Sequence, residues 1–226
     1  MRLLFLILVV CSLVACTKKE EPVPVIPTPA PTQQDTTVAG LSPEVTARVM
    51  KYRLFFSQEI CFNFGCSKSS IFFGQVHQES RWVTTAQSKY AAGIAQFTPD
   101  TAKWINQLYA KDLKELCLTS SGCPLDPKWA LRSLTLYMKQ LYASYVFSRT
   151  DEDRFGFSLA AYNGGAGWIP KERKKAEEAS FDSTLWFGGV ALACVRAEWA
   201  CKENREYPDI ILHKWKPLYM KLLNGG

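Results

Sequence analysis

The 226-residue sequence has no apolar run long enough to cross a membrane as a helix. Residues 3–15 come nearest, thirteen positions broken only by Ser12, whereas a spanning helix needs roughly 20. Alternating apolar and polar positions are scarce and no internal repeat occurs, which argues against a sheet-built or repeating architecture. Histidine appears only as His77 and His213, too few for a histidine-rich metal centre. No sequence-reading nucleic-acid motif is present, and charge of one sign does not dominate: 27 Lys and Arg against 21 Asp and Glu leave +6. That excess suits an acidic polymer or a membrane surface without establishing nucleic-acid binding. The one dense basic run, residues 171–175, contains Glu172 and is followed by Glu177 and Glu178, so it reads as a solvated helix face. What is present is core material, 47% hydrophobic and 13% aromatic residues, which excludes a largely disordered chain. The length fits one domain with appendages.

Arg2 followed by the thirteen-residue apolar run has the form of an export signal, whose core needs about 7 to 15 apolar residues. Its end, Leu13-Val14-Ala15-Cys16, resembles the lipobox of bacterial lipoproteins. That resemblance implies cleavage before Cys16, acylation of its thiol and amine, and anchoring by several acyl chains. An ordinary secretory cut leaving a free Cys16 is the alternative. Thr17 after Cys16, where Asp favours retention at the inner membrane, points to an outer-membrane destination facing the periplasm. Residues 16–41 then hold five prolines, Pro22, Pro24, Pro27, Pro29 and Pro31, and no aromatic residue. Such a segment is an extended tether of at most ~3.1 Å per residue. The expected organisation is a signal peptide at 1–15, a tether at 16–41 and a folded domain at 42–226.

Helical signals fill that domain. Ser42-Pro43 fits an N-cap with proline in the first turn, followed by Val45, Val49, Tyr52 and Phe56 at helical spacing. Thr98-Pro99-Asp100 and Asp126-Pro127 open further helices. Another ends at Asn163-Gly164-Gly165, and helical patterns run over residues 185–200 and 207–223. The expected fold is mainly α, one domain with at most a small β element.

Of eight cysteines, Cys11 leaves with the signal and Cys16 carries the lipid. Cys61, Cys66, Cys117, Cys123, Cys194 and Cys201 remain. Six cysteines allow fifteen connectivities. Spacings of 5, 6 and 7 suggest three local clips joining sequence neighbours. A zinc site is the weaker alternative, since the pairs are spaced widely and an exported protein meets an oxidising compartment. No metal or cofactor is expected.

Residues 77–102, HQESRW…AQSKYAAGIAQFTPDTA, resemble the Glu-Ser … Gly-Leu-Met-Gln … Pro-x-Thr-Ala signature of soluble lytic transglycosylases. These belong to the goose-lysozyme-like branch of the lysozyme superfamily. LAAYNGGAGWI at 159–169 is similar to the family's Ala-Tyr-Asn-x-Gly block, DPKWALRSLTLYM at 126–138 to its Asp-Pro helix, and ENREYPDIIL at 203–212 to its closing Glu-x-x-x-Tyr block. The resemblance implies a lysozyme-like fold and cleavage of the β-1,4 bond between N-acetylmuramic acid and N-acetylglucosamine in peptidoglycan, with 1,6-anhydromuramoyl ends. Glu79 is the implied catalytic acid. Ser88, Gln96, Tyr162, Asn163 and Glu203 are implied to meet substrate, with Ser80 and Tyr207 organising the site.

The residues support that chemistry on their own terms. Breaking a glycosidic bond puts charge on the leaving oxygen, so a carboxylic acid must stay protonated near neutral pH. Glu79 lies between the apolar Ile71, Phe72, Phe73 and Val76 and Trp82, a setting that disfavours its charged form. No Asp or Glu occurs between Ser80 and Pro99, which suggests a mechanism with one carboxylate. Departures from the pattern are a loop from Ser88 to Gln96 one residue short, Ala95 where Met is common, Ala130 and Leu134 in place of Asn and Gly, and an extra segment around Cys117 to Cys123 expected to close one end of the cleft. The alternatives are a hydrolytic muramidase of the same fold and a non-catalytic peptidoglycan-binding lipoprotein. The latter would scaffold secretion or conjugation machinery.

Overall fold

The computed structural model describes residues 40–225. The signal segment, Cys16 and the tether up to residue 39 lie outside the described residues. Helix α1, Pro43–Phe64, opens as its sequence dictates, with the Ser42 hydroxyl accepting from Val45 N at 3.4 Å and Pro43 in the first turn. It buries Val45, Val49, Tyr52, Phe56 and Ile60. After a 3₁₀ turn comes α2, Ser69–Ser80, in which every residue from Ser69 to His77 is buried. A helix covered on all sides is the centre of a globular core. Its cover comes from α1 and from the C-terminal helices. Phe73 sits at the junction, with ring centroids 5.2 Å from Phe56, 5.1 Å from Trp82 and 5.9 Å from Tyr219. Each such buried ring contributes roughly 1.5–3 kcal/mol.

Residues 81–98 form a loop whose only pairings are two isolated bridges, Gln87 with Ala92 and Ala92 with Phe97. That is the small β element. Helix α3, Pro99–Leu108, is capped by Thr98, and the short α4, Ala110–Leu113, follows. Helix α5, Pro127–Ser144, is capped by Asp126, whose Oδ1 accepts from Trp129 N at 2.8 Å. Ala130 and Leu134 are both fully buried on α5, so the apolar residues at these positions are absorbed by core packing. Helix α6, Asp151–Gly164, packs on α5 and on the later helix over Glu198–Asp209. After it come α7, Ile169–Glu178, α8, Glu198–Asp209, a π-helical turn Ile210–Trp215, and α9, Lys216–Asn224. The architecture is mainly α, and no strand occurs among the described residues.

The helix expected over residues 185–200 is not formed. Those residues make turns and a 3₁₀ turn at Val190–Leu192, and α8 starts only at Glu198. The reason is tertiary. Buried Asp153 on α6 accepts from Trp186 N at 2.9 Å and Phe187 N at 3.2 Å, holding the chain against α6 before it turns at Gly188-Gly189. The solvated-face reading of residues 171–175 is corrected at one position. Glu172 is buried and paired with Arg196 at 2.9 Å.

Disulfides join Cys61 to Cys66, Cys117 to Cys123 and Cys194 to Cys201. The first spans the turn between α1 and α2. The second closes the segment before α5, and the third ties the loop containing Arg196 to the first turn of α8.

Candidate active site

Glu79 lies in the last turn of α2, where the helix stops because Arg81 and Trp82 take left-handed backbone conformations, φ 50 and 64°. The stop is anchored from behind. Trp82 Nε1 donates to Tyr219 Oη at 2.9 Å, and that oxygen also lies 2.8 Å from His77 Nδ1. Because the indole can only donate, the tyrosine proton is directed to His77. Burial holds the His77 pKa down at about 4, so the ring is a neutral structural acceptor, stacked on Trp215 with centroids 3.9 Å apart.

Glu79 is half-buried at the wall of a cleft. Tyr207, itself buried on α8, donates to its Oε1. Burial pushes the carboxyl pKa up to about 8; the Tyr207 bond works against the rise and the nearby Glu203 charge adds to it. Glu79 is therefore mostly a neutral acid at pH 7. Tyr162 on α6 is a second neighbour. Its hydroxyl pKa is raised far above the usual value by burial first and by Glu79 next.

Two side chains fix the loop in front of Glu79. Ser80 Oγ donates to Ile94 O at 2.8 Å, and Tyr162 Oη donates to Ala95 O at 2.7 Å. Gln96 follows with φ 48°. Its amide donates to Gly93 O at 2.8 Å and Ala86 O at 3.2 Å, which folds the loop back on itself. Gly93, at φ 79°, is required here because a Cβ would fall 1.7 Å from Pro124 O. The loop backbone thus lies directly against Pro124, the residue after the Cys117–Cys123 clip. The result is a cleft of about 320 Å³ lined by Gln78, Glu79, Ser80, Arg81, Ala86, Gln87 and Gln96.

Asn163, at the end of α6, donates to Glu203 Oε1 at 3.5 Å and accepts from Asn204 Nδ2 at 3.1 Å. Asn204 also donates to Ala160 O at 2.8 Å and accepts from Arg196, whose guanidinium grips Glu172 at 2.9 and 3.3 Å. Gly164 is required for close approach, since a Cβ would lie 2.2 Å from Arg196 Nη1. Burial raises the Glu172 pKa while Arg196 pulls it down. This chain of contacts was not foreseen in the sequence. Its only signal is the single Glu inside a basic run, facing an Arg between two cysteines.

The structure therefore brings together Glu79, Ser80, Gln96, Tyr162 and Tyr207, with Asn163 and Glu203 as a linked pair beside them. Ser88 stands apart. It is exposed, and its Oγ accepts from Tyr90 N at 3.2 Å and Ala91 N at 3.0 Å, capping its own turn outside the set that lines the cleft.

The chain is 32% identical over 111 residues to the membrane-bound lytic murein transglycosylase F of Stutzerimonas stutzeri (strain A1501), covering 49% of this chain and 20% of that protein. It is 28% identical over 153 residues to the protein of the same name from Maricaulis maris (strain MCS10), covering 66% and 29%. The chain thus spans less than a third of the length of these relatives. The transglycosylase SLT domain pattern matches residues 66–185, more than half of the chain. The match contains Glu79, Gln96, Tyr162 and Asn163 and stops before Glu203 and Tyr207, which α8 supplies. With a half-buried glutamic acid at the end of a buried helix and this match around it, the chain belongs to the transglycosylase SLT domain family.

Proposed function

We propose that this protein is a peptidoglycan lytic transglycosylase in which Glu79 acts first as acid and then as base. The observation that carries the reading is the half-buried Glu79 carboxyl at the cleft wall, bonded by Tyr207 and with its pKa raised to about 8. As a neutral acid, Glu79 donates its proton to the glycosidic oxygen between N-acetylmuramic acid and N-acetylglucosamine, and that bond breaks. The resulting carboxylate, now accepting from Tyr207, takes the proton of the muramic C6 hydroxyl as its oxygen bonds to the anomeric carbon. The product is a 1,6-anhydromuramoyl end, no water is consumed, and Glu79 regains its proton. Gln96 and Tyr162 hold the loop that shapes the cleft, while Asn163 with Glu203 meets the sugar from α6 and α8. The names of the two relatives, both membrane-bound murein transglycosylases, support the reaction class and an envelope location.

Glu203 supports a second reading. It is exposed beside Glu79 and contributes to its raised pKa, so it is placed to activate a water as a hydrolytic muramidase would require. Mass analysis of fragments released from purified sacculi separates the readings. Anhydro ends, one water lighter, are expected; reducing ends select hydrolysis, and no release selects a binding protein.

No described helix is long and apolar enough to cross a membrane. Membrane attachment in this proposal comes instead from acylated Cys16, with the proline-rich tether spacing the domain from an outer-membrane surface on the periplasmic side.

A further inference from the structure

Gln75 is an anomaly in the core. It lies on α2 with no exposed surface, yet neither its amide nitrogen nor its amide oxygen reaches hydrogen-bonding geometry with any described residue. A buried amide without partners costs folding free energy, whereas an apolar side chain of the same size would not. Its place on the helix is informative. Gln75 precedes Glu79 by four residues, so the two side chains share one face of α2. That face meets α8 at Tyr207, the residue that bonds Glu79. Burial above all raises the Tyr207 hydroxyl pKa, and the Gln75 amide counters that rise as a donor would.

We infer that Gln75 is a positioning residue: its amide N–H donates to Tyr207 Oη, which commits the phenol proton to Glu79 Oε1 and leaves the transferable proton on the Glu79 oxygen that faces the cleft. Without such a donor the phenol and the carboxylic acid can exchange roles, with the acid proton turned inward onto Tyr207 Oη, away from the glycosidic oxygen. Hydrogen bonds of this kind are often long in a resting site and tighten around the reacting groups. A fully buried amide kept at this position, despite its cost, is what a site that must hold one proton in one place requires.

The inference rests on the transglycosylase reading, so its test uses readouts that do not need activity. The groups facing Glu79 are Tyr207 and Glu203 from α8, Tyr162 from α6 and Arg81 beside the cleft. All are unchanged in Gln75→Met, which keeps length and apolar volume and removes the donor. In that variant the Glu79 carboxyl, followed by carbon-detected NMR, is expected to titrate about half a unit to one unit higher, because Tyr207 donates less strongly to the carboxylate. Its kcat is expected to fall about fivefold, the effect of one neutral hydrogen bond, with KM unchanged. The melting temperature is expected to rise, since a buried amide oxygen without a partner has been removed. In the Tyr207→Phe background the same substitution is expected to leave the Glu79 titration where it was. A measurement on wild type guards against a variant that does not fold: the Gln75 side-chain amide signal should shift with the Glu79 midpoint and lose that response in Tyr207→Phe. A Glu79 titration unmoved in Gln75→Met, or a Gln75 signal blind to Glu79 in wild type, overturns the inference. Absence of any sacculus cleavage by wild type overturns the transglycosylase reading instead.

Discussion

Tyr207 donates its phenol proton to Glu79, a residue 128 positions earlier in the chain, and so couples the end of the central helix to the C-terminal helices. The bond works against burial. Enclosure drives the Glu79 pKa up and Tyr207 holds it back, which keeps the acid near the pH at which it must both give and take a proton.

Tyr207→Phe removes that restraint. The Glu79 pKa should move above its value of about 8, by roughly one unit for a lost bond to a charged oxygen. The basic limb of the kcat/KM profile should move up in pH while kcat falls. A pH–rate profile checks it, and an unchanged basic limb would show that the bond does not tune the acid.

Stability should carry the same signature. The folded Glu79 pKa, about 8, exceeds the ordinary 4.5, so the folded state binds a proton that the unfolded chain has lost. Its contribution is complete below about pH 4.5 and disappears as pH rises toward 8, a change of up to about 5 kcal/mol. Glu79→Gln should match wild type in denaturant melts at pH 4 and exceed it at pH 9. Parallel stability curves for the two proteins would contradict the raised pKa.

The Glu172–Arg196 pair should behave as a buried ion pair with a second task. Arg196→Met leaves Glu172 buried and unpaired and should cost about 3–5 kcal/mol. Adding Glu172→Met should restore much of that stability. It should not restore turnover, because Asn204 has lost the Arg196 contact that helps it hold Asn163. Full activity in the stable double variant would confine the network to stability.

Gly93→Ala should be damaging beyond its size. The added Cβ meets Pro124 O at 1.7 Å and the backbone is left-handed at φ 79°, so a cost of at least about 2 kcal/mol is expected. Urea melts and cleft activity should fall together. A variant as stable as wild type would show that the loop and the chain at Pro124 can part.

Cys16→Ser should abolish incorporation of labelled fatty acid, because no acylable thiol remains at the expected cleavage site. A wild-type protein that takes up no label would contradict the lipid anchor.

How far the sequence could be read depended on whether a feature was local. Ser42, Thr98 and Asp126 announce their helices because a cap acts within three residues. That Glu79, Gln96 and Tyr162 lie near one another was legible because short blocks carry them. Residues 185–197 misled because Asp153, more than thirty residues earlier, holds their amides. Gln75 and Arg196 were invisible for the same reason. Their roles depend on Tyr207, Glu172 and Asn204, partners that only folding brings near. Ser88, read from the same block, is exposed and caps its own turn.

The central claim is that the Glu79 proton drives cleavage, and the most direct measurement is muropeptide release from purified sacculi by wild type and Glu79→Gln, with products weighed. The account predicts anhydromuramoyl ends from wild type and a loss of at least about 10²-fold in the variant, which keeps its fold and its affinity for glycan. Release within a few-fold of wild type from Glu79→Gln would contradict it.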